Sequence, residues 1–259
     1  MAAMIPIRVN LYVGIDIVIV LVNNTYSVSN TVPAPPIEKS TTLYPVNVYF
    51  ISGMGADHRA FSYITLPKGF EAIHMPWIKP VKNEPLAAYA LRLAGAIRTS
   101  EPFILVGLSM GGMMAVEIAK KFPPVCIVLI SSIPQSGQLP GYYRVAAALN
   151  AGFLFPPSLL KKLAGLKKAI SPASKLVREM FRDCDDEFFK WAMTAVPGWD
   201  NHQVPQPLYH IHGKKDLVLP IRLTHPTQAV AWAGHMLVMT HPTVVNAFLA
   251  DVLDPGREM

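Results

Sequence analysis

The chain has 259 residues, of which 51% are hydrophobic and 15% are charged; this composition excludes a disordered protein and allows one large domain or one domain with an insertion. The formal net charge is +6, but aromatic and basic residues do not interleave as they do in nucleic-acid grooves, so nucleic acid is not an expected partner. The two cysteines, Cys126 and Cys184, provide neither a disulfide framework nor the Cys/His spacing of a metal site.

The chain begins with a segment that is open to two interpretations. Residues 11–22 form an apolar, β-branched run that Asp16 interrupts, and the run is too short for a membrane-spanning helix. Its β-branched residues favour added strands, whereas Arg8 before it is compatible with a targeting segment. Three prolines within 33–36 then predict a linker. We therefore interpret residues 1–45 as an N-terminal extension.

A buried strand is predicted over residues 46–51, which are almost all apolar. The strand runs into a glycine-rich turn at 52–55. Serine hydrolases place half of their oxyanion hole in such a turn, because glycines such as Gly53 let a backbone N–H face the site. The N–H of Met54 is thus a candidate oxyanion donor and His58 a candidate pocket residue. An ordinary strand-ending turn is the alternative interpretation.

The pattern with the most specific chemistry lies at residues 103–112, where four apolar residues run into Gly-x-Ser-x-Gly and a helical pattern follows. This is the strand–turn–helix context of a nucleophile elbow. Side chains at Gly107 and Gly111 would collide with the neighbouring strand and helix, so glycine suits both positions. The pattern predicts that Ser109 is a nucleophile and that the N–H of Met110 is the second oxyanion donor.

The elements on either side of this elbow alternate between strands and helices. Residues 70–75 predict a short strand, and apolar residues at helical spacing predict a helix over 86–97. After the elbow, a helix is predicted over 111–122 and a buried strand over 125–130. Near-continuously apolar strands separated by helices predict an α/β fold with a mostly parallel sheet.

The patterns that follow are mainly helical, with helices predicted over 158–170 and 185–196. A helical stretch of this length between two sheet strands predicts a cap inserted over the carboxyl end of the sheet, spanning 138–203. Simple packing of these helices on the sheet is the alternative. Core packing is the default interpretation of Trp191, which is also a candidate pocket residue.

The sheet pattern resumes at residues 208–212, which lead into a turn that ends at Asp216. A further short strand is predicted at 229–232, and His235 follows it. A final helix is predicted over 242–253.

Ser109, Asp216 and His235 stand in the order nucleophile, acid, histidine that is typical of this class of elbow. Each lies just after a predicted strand, so all three can meet at one edge of the sheet. His235 would take the proton of the Ser109 hydroxyl, and Asp216 would hold His235 in the right tautomer. His210 and His212, in the strand before Asp216, are interpreted as packing or locally bonded side chains.

With these pieces the chain resembles the alpha/beta-hydrolase superfamily over about residues 46–253. The matching pieces are residues 46–57, 103–112, 212–216 and 234–235. The Ile-Ser-Gly-x-Gly-Ala-Asp turn at 51–57 is similar to that of small, capped bacterial serine hydrolases of the esterase type. This chain departs from the pattern at Ser52, because many relatives have His-Gly where it has Ser-Gly.

The resemblance implies an alpha/beta-hydrolase fold in which a mostly parallel sheet is flanked by helices. The core would comprise residues 46–137 and 204–259, with the helical cap inserted at 138–203. No metal or organic cofactor is implied.

The predicted function is hydrolysis of a small carboxylic ester or thioester through a serine acyl-enzyme. Three alternatives stay open: a lyase or C–C hydrolase that uses the same triad, a non-catalytic ligand-binding member of the fold, and a membrane-associated lipase. The expected partner is a small-molecule acyl ester, without nucleic acid or stable membrane insertion. A cytoplasmic location is expected, unless residues 11–22 act as an export signal or anchor.

Overall fold

The computed structural model describes residues 21–22, 25–26, 45–148 and 171–254. Strands β1 (Leu21–Val22) and β2 (Thr25–Tyr26) pair as an antiparallel hairpin within a compact unit, Met1–Pro33, while Ala34–Met259 form a second unit. The remainder of the predicted apolar run at 11–22 lies outside the described residues, as do the proline linker and the helix predicted over 158–170. The interpretation of residues 1–45 therefore stays a prediction.

The second unit is built on a six-stranded sheet in which all strands run parallel. Its strands are β3 (Val46–Ile51), β4 (Phe70–His74), β5 (Phe103–Leu108), β6 (Cys126–Ile130), β7 (Leu208–Gly213) and β8 (Gln228–Val230). They lie in the order β4-β3-β5-β6-β7-β8. Every residue of β5 and β6 is buried, as expected for central parallel strands that are covered on both faces.

Seven α-helices lie in the described part of this unit. They are α1 (Leu86–Leu93), α2 (Met110–Ala119), α3 (Gly141–Ala148), α4 (Pro172–Asp183), α5 (Asp186–Ala195), α6 (Leu237–Thr240) and α7 (Pro242–Val252). Alternate residues of the central strands feed two separate hydrophobic clusters. One cluster includes side chains of α1, α2 and α5, and the other includes side chains of α6 and α7. The predicted α/β fold, with a mostly parallel sheet flanked by helices, is confirmed.

Three of these helices, α3, α4 and α5, lie between β6 and β7. Helix α4 begins with a capping box in which Ser171 and Ser174 satisfy each other's backbone N–H groups. Helix α5 begins where the Asp185 carboxylate accepts a hydrogen bond from the N–H of Phe188. The helix predicted over 185–196 is thus present, with slightly different ends.

Several element boundaries differ from the predictions. The strand predicted over 229–232 ends at Val230, because Trp232 adopts a positive φ of 66° that a strand does not accommodate. The helix predicted over 86–97 tightens into a 3₁₀ turn at Ala94–Ala96. None of the helices in the described ranges has both the length and the apolar character needed to cross a bilayer.

Candidate active site

The turn between β5 and α2 holds Ser109 in an uncommon backbone conformation, with φ 53° and ψ −120°. This is a strained region for a residue with a side chain, and hydrogen bonds hold it in place. The N–H of Ser109 donates to the carbonyl of Ile130 at 3.0 Å. The hydroxyl of Ser132 donates to the carbonyl of Ser109 at 2.6 Å. The strand–turn–helix sequence therefore forms a sharp elbow with Ser109 at its apex.

Glycines allow the backbones around this elbow to approach one another closely. A Cβ at Gly107 would lie 2.5 Å from both the carbonyl oxygen of Gly111 and the nitrogen of Gly112. A Cβ at Gly111 would overlap the carbonyl oxygens of Ile51 and Ser52 at the end of β3. Because these neighbours are backbone atoms, they cannot move aside as a flexible side chain can.

Two hydrogen bonds link the three residues that the sequence analysis selected. The Nε2 atom of His235 lies 2.9 Å from the hydroxyl oxygen of Ser109. Its Nδ1 atom lies 2.7 Å from Oδ2 of Asp216. Asp216 follows β7 and His235 follows β8, so the carboxyl ends of β5, β7 and β8 bring the three side chains together. The arrangement can carry a proton away from the serine hydroxyl.

Asp216 is 3% exposed and is held from several directions. Its Oδ1 atom accepts hydrogen bonds from the N–H groups of Val218 and Leu219 at 2.8 and 2.9 Å. Burial alone would raise the pKa of this carboxyl group, but hydrogen bonds from His212 and His235 lower it well below its ordinary value. The carboxylate is therefore charged at neutral pH.

The glycine-rich turn after β3 lies directly against the elbow. A Cβ at Gly53 would lie 3.2 Å from Cβ of Ser109 and 3.8 Å from its hydroxyl oxygen. The turn is closed by a 3.1 Å bond from the N–H of Ala56 to the carbonyl of Gly53. Among the hydrogen bonds of the described residues, none uses the N–H of Met54 or Met110.

A family model described as the alpha/beta hydrolase family matches residues 48–248, which is most of the chain. The chain belongs to the alpha/beta hydrolase family. The resemblance inferred from the sequence pieces is thus confirmed.

One curated protein is similar to part of the chain. The biotin biosynthesis bifunctional protein BioHC of Teredinibacter turnerae is 23% identical over 185 residues, which cover 56% of this chain and 32% of that protein. This alpha/beta hydrolase thus spans about a third of that relative.

Solved structures extend the comparison of the fold. A thermophilic esterase from Thermogutta terrifontis matches with a TM-score of 0.61 and 18% identity, covering 81% of this chain and 90% of that one. An esterase from Exiguobacterium antarcticum matches with a TM-score of 0.62 and 18% identity, covering 80% and 91%. At this identity, the likeness shows the fold.

The two candidate pocket residues of this alpha/beta hydrolase have different surroundings. Trp191 packs in the hydrophobic core, where its ring stacks on Tyr89 with centroids 4.2 Å apart. Its indole N–H donates to the carbonyl of Glu84 at 2.7 Å. The side chain of His58 is 69% exposed and lies against Asp57. Neither side chain forms a hydrogen bond with Ser109, His235 or Asp216. Trp191 is a core residue.

A cavity of about 370 Å³ lies between the turn after β3, the loop after β4, and helices α4 and α5. Its apolar lining comes from Ala56, Trp77, Ile78, Met180 and Phe188, and its polar lining from Asp57, Lys79, Asp183, Cys184, Asp185 and Glu187. Ser109, Asp216 and His235 are not among these lining residues. No sequence pattern indicated this cavity, because its walls come from three separate stretches of chain.

We expect the stability of this alpha/beta hydrolase to fall in mild acid because of His210. The residue is 2% exposed, and burial, with a contribution from neighbouring His212, lowers its pKa from 6.5 to about 3. Below pH 6.5 the unfolded chain binds a proton here that the folded chain does not, so stability decreases as pH falls toward 3. His210 accounts for about 2 kcal/mol of this loss between about pH 7 and pH 5.

Urea denaturation at about pH 7 and pH 5 measures this effect. We expect His210→Gln to show a smaller loss of unfolding free energy over this interval than the wild type. The control is His202→Gln, because the side chain of His202 is 80% exposed; its loss should equal that of the wild type. An identical pH dependence in His210→Gln and wild type would contradict the assignment.

Proposed function

We propose that this protein is a serine hydrolase that cleaves a small carboxylic ester or thioester through an acyl-enzyme. The observation that carries the proposal is the continuous hydrogen-bonded series from the Ser109 hydroxyl through His235 to the buried Asp216. A serine hydroxyl is a weak nucleophile at neutral pH unless a positioned base removes its proton as it attacks. The names of the two structural neighbours, both esterases, support the same reaction class.

In the first half of the reaction, Oγ of Ser109 attacks the substrate carbonyl carbon while Nε2 of His235 takes the hydroxyl proton. The carbonyl electron pair moves onto oxygen, and the N–H groups of Met54 and Met110 donate to that oxyanion. Loss of one such donor typically lowers the rate about a hundredfold or more. Asp216 holds the Nδ1–H of His235 and stabilises the imidazolium.

Collapse of the tetrahedral intermediate re-forms the carbonyl group and expels the alcohol or thiol, which takes the proton from Nε2 of His235. Water then attacks the acyl-enzyme, with His235 again acting first as base and then as acid. Ser109 is released with its proton, and the product is a carboxylic acid. No step needs a metal or an organic cofactor.

We further propose that α3, α4 and α5 belong to a cap, spanning residues 138–203, that selects the substrate. A Cβ at Gly55, in the turn beside Ser109, would lie 2.9 Å from the ring of Phe181 in α4. Arg59 joins Asp57 and Asp183 with bonds of 2.6 and 3.0 Å. Helices that contact the oxyanion turn in this way are well located to shape the route to the serine.

Helix α3 supports the same proposal from the other side of the site. The hydroxyl of Tyr142 donates to the carbonyl of Val218 at 2.6 Å and lies 3.2 Å from that of Leu217. Both carbonyls belong to the loop that follows Asp216.

A small acyl compound in the cytoplasm is the substrate that we propose for this site.

Labelling with a fluorophosphonate tests the proposed nucleophile. We expect the wild-type protein to form a covalent adduct, detected by intact mass, because the reagent reacts with serines that a neighbouring base activates. Ser109→Ala should not be labelled, and a peptide map should place the adduct on Ser109. Labelling that survives the substitution would exclude Ser109 as the nucleophile.

A panel of short-chain and long-chain p-nitrophenyl esters and thioesters then separates the remaining functions. Turnover of a short ester or thioester supports the proposal. Labelling without turnover of any member favours the lyase or C–C hydrolase reaction. A folded wild type that is neither labelled nor active favours a non-catalytic, ligand-binding protein.

A further inference from the structure

A row of buried polar side chains leads to the carboxylate of Asp216. His210 and His212 are 2% and 0% exposed, and Thr224 is 4% exposed. The two histidines lie on β7, two residues apart, so their side chains share one face of the sheet. None of these three groups has a part in the reaction described above.

The distances join these groups in series to the carboxylate. Thr224 Oγ1 lies 3.4 Å from Nδ1 of His210, and Nε2 of His210 lies 2.9 Å from Nδ1 of His212. The Nε2 atom of His212 lies 2.7 Å from the carbonyl oxygen of Leu219 and 3.2 Å from Oδ2 of Asp216. The series therefore ends on the oxygen that also accepts from His235.

The chemistry of the end groups sets the direction in which this series donates. The carbonyl oxygen of Leu219 only accepts hydrogen bonds, so Nε2 of His212 carries a proton. In the tautomer with its proton on Nε2, Nδ1 of His212 is an acceptor, so Nε2 of His210 donates to it and Nδ1 of His210 accepts from Thr224. Burial lowers the pKa of His210, which agrees with a neutral ring. Every ring nitrogen has a partner in this assignment.

Donors surround the carboxylate of Asp216. Oδ1 accepts from the N–H groups of Val218 and Leu219, and Oδ2 accepts from His235. Oδ2 also lies 3.2 Å from Nε2 of His212, whose N–H is shared between this oxygen and the carbonyl of Leu219. A carboxylate has about four lone-pair sites, so these four donors restrict its rotation. Among the described residues, His212 and His235 are the two side chains with a nitrogen close to this carboxylate, so loss of His212 leaves His235 alone.

We propose that His212, supported by His210 and Thr224, is a positioning residue that orients the carboxylate of Asp216 toward His235. The proposal rests on the proposed function, since it gives Asp216 the role of orienting the base. His212 acts through Asp216 and does not touch the reacting atoms. A misplaced carboxylate leaves the imidazole less well aligned with the Ser109 hydroxyl and less stabilised as an imidazolium.

The test compares His212→Leu, which removes the donor, with His212→Gln, whose terminal amide N–H replaces the Nε2–H. For His212→Leu we expect kcat to fall about 10-fold to 100-fold with KM changed by less than about twofold. His212→Gln should recover most of the lost kcat. The control is His202→Gln, a surface histidine with an 80% exposed side chain, which should have wild-type kcat and KM.

A spectroscopic readout examines the proposed contact directly. The proton between Nδ1 of His235 and Asp216 should give a far-downfield proton NMR signal in wild type and in His212→Gln. We expect this signal to be lost or displaced in His212→Leu. Urea unfolding curves, measured in parallel, give the fraction of folded protein in each sample without denaturant. Should His212→Leu not fold, His212→Asn replaces it, because its shorter amide does not reach Asp216.

An unchanged kcat and NMR signal in the variant that lacks the donor would overturn the proposal. The proposal would also be overturned if His212→Leu and His212→Gln lost kcat equally and in proportion to their loss of folded protein. That result would indicate that His212 has a structural role alone. Failure of the proposed function has a different signature: the wild type neither labels with fluorophosphonate nor hydrolyses an ester. In that case the NMR comparison still decides whether His212 positions Asp216.

Discussion

Replacing Ser109 with alanine is expected to lower kcat for the best p-nitrophenyl ester by about 10⁵-fold to 10⁶-fold. The hydroxyl oxygen of Ser109 lies 2.9 Å from the base His235, and alanine leaves that base with nothing to activate. The remaining rate would come from substrate binding and from the oxyanion donors, which still act on a direct attack by water. Initial rates over a range of substrate concentrations give kcat and KM separately.

Two further variants sharpen this prediction. In Ser109→Ala/His235→Ala, the second substitution should add little to the loss, because the two residues act as one unit. Ser62→Ala is the matched control, since the hydroxyl of Ser62 bonds only locally to the carbonyl of Arg59, and its kcat should equal that of the wild type. Retention of more than about 1% of wild-type kcat in Ser109→Ala would contradict the acyl-enzyme mechanism.

Replacing Gly111 with alanine is expected to destabilise the fold by about 3 kcal/mol or more and to prevent fluorophosphonate labelling. The new Cβ would overlap the carbonyl oxygens of Ile51 and Ser52, so α2 and β3 must move apart. The same movement separates Ser109 from the turn at Gly53 that lies against it. Urea denaturation measures the loss of stability, and intact mass measures the labelling.

Gly95→Ala is the matched control for this substitution. A Cβ at Gly95 has no neighbour within 4 Å, and its φ is not in the positive range. Its free energy of unfolding should stay within about 0.5 kcal/mol of wild type, with unchanged labelling. If Gly111→Ala equals Gly95→Ala in free energy of unfolding and in fluorophosphonate labelling, that result would contradict the close packing of the elbow against β3.

The elbow and the order of the three site residues could be predicted because their signals are local. Gly-x-Ser-x-Gly lies within five consecutive residues, and the steric need for Gly107 and Gly111 arises where a strand turns sharply into a helix. The apolar strands around it are covered on both faces, so each appears as an unbroken hydrophobic run. These patterns were sufficient to predict the parallel sheet and to select Ser109, Asp216 and His235.

The role of Trp191 could not be predicted in the same way. A tryptophan in an amphipathic helix lines a pocket or fills the core according to what faces it. Here Tyr89 and the carbonyl of Glu84, about a hundred residues earlier in the chain, provide a stacking surface and a hydrogen-bond acceptor. The indole ring therefore packs its apolar face in the core, and its N–H has a hydrogen-bond acceptor there.

The sequence by itself determined the family, the parallel α/β sheet and the residues at the ends of three strands. Strand burial and the steric requirements of the elbow each depend on a few consecutive residues. Only the tertiary structure decided that His212 contacts the same oxygen of Asp216 as His235, and that Ser109 does not line the cavity beside α4. The His212 contact and the cavity are each formed by segments that lie apart in the sequence. Such contacts leave no periodic pattern in the sequence, because they arise only when the folded chain packs these segments together.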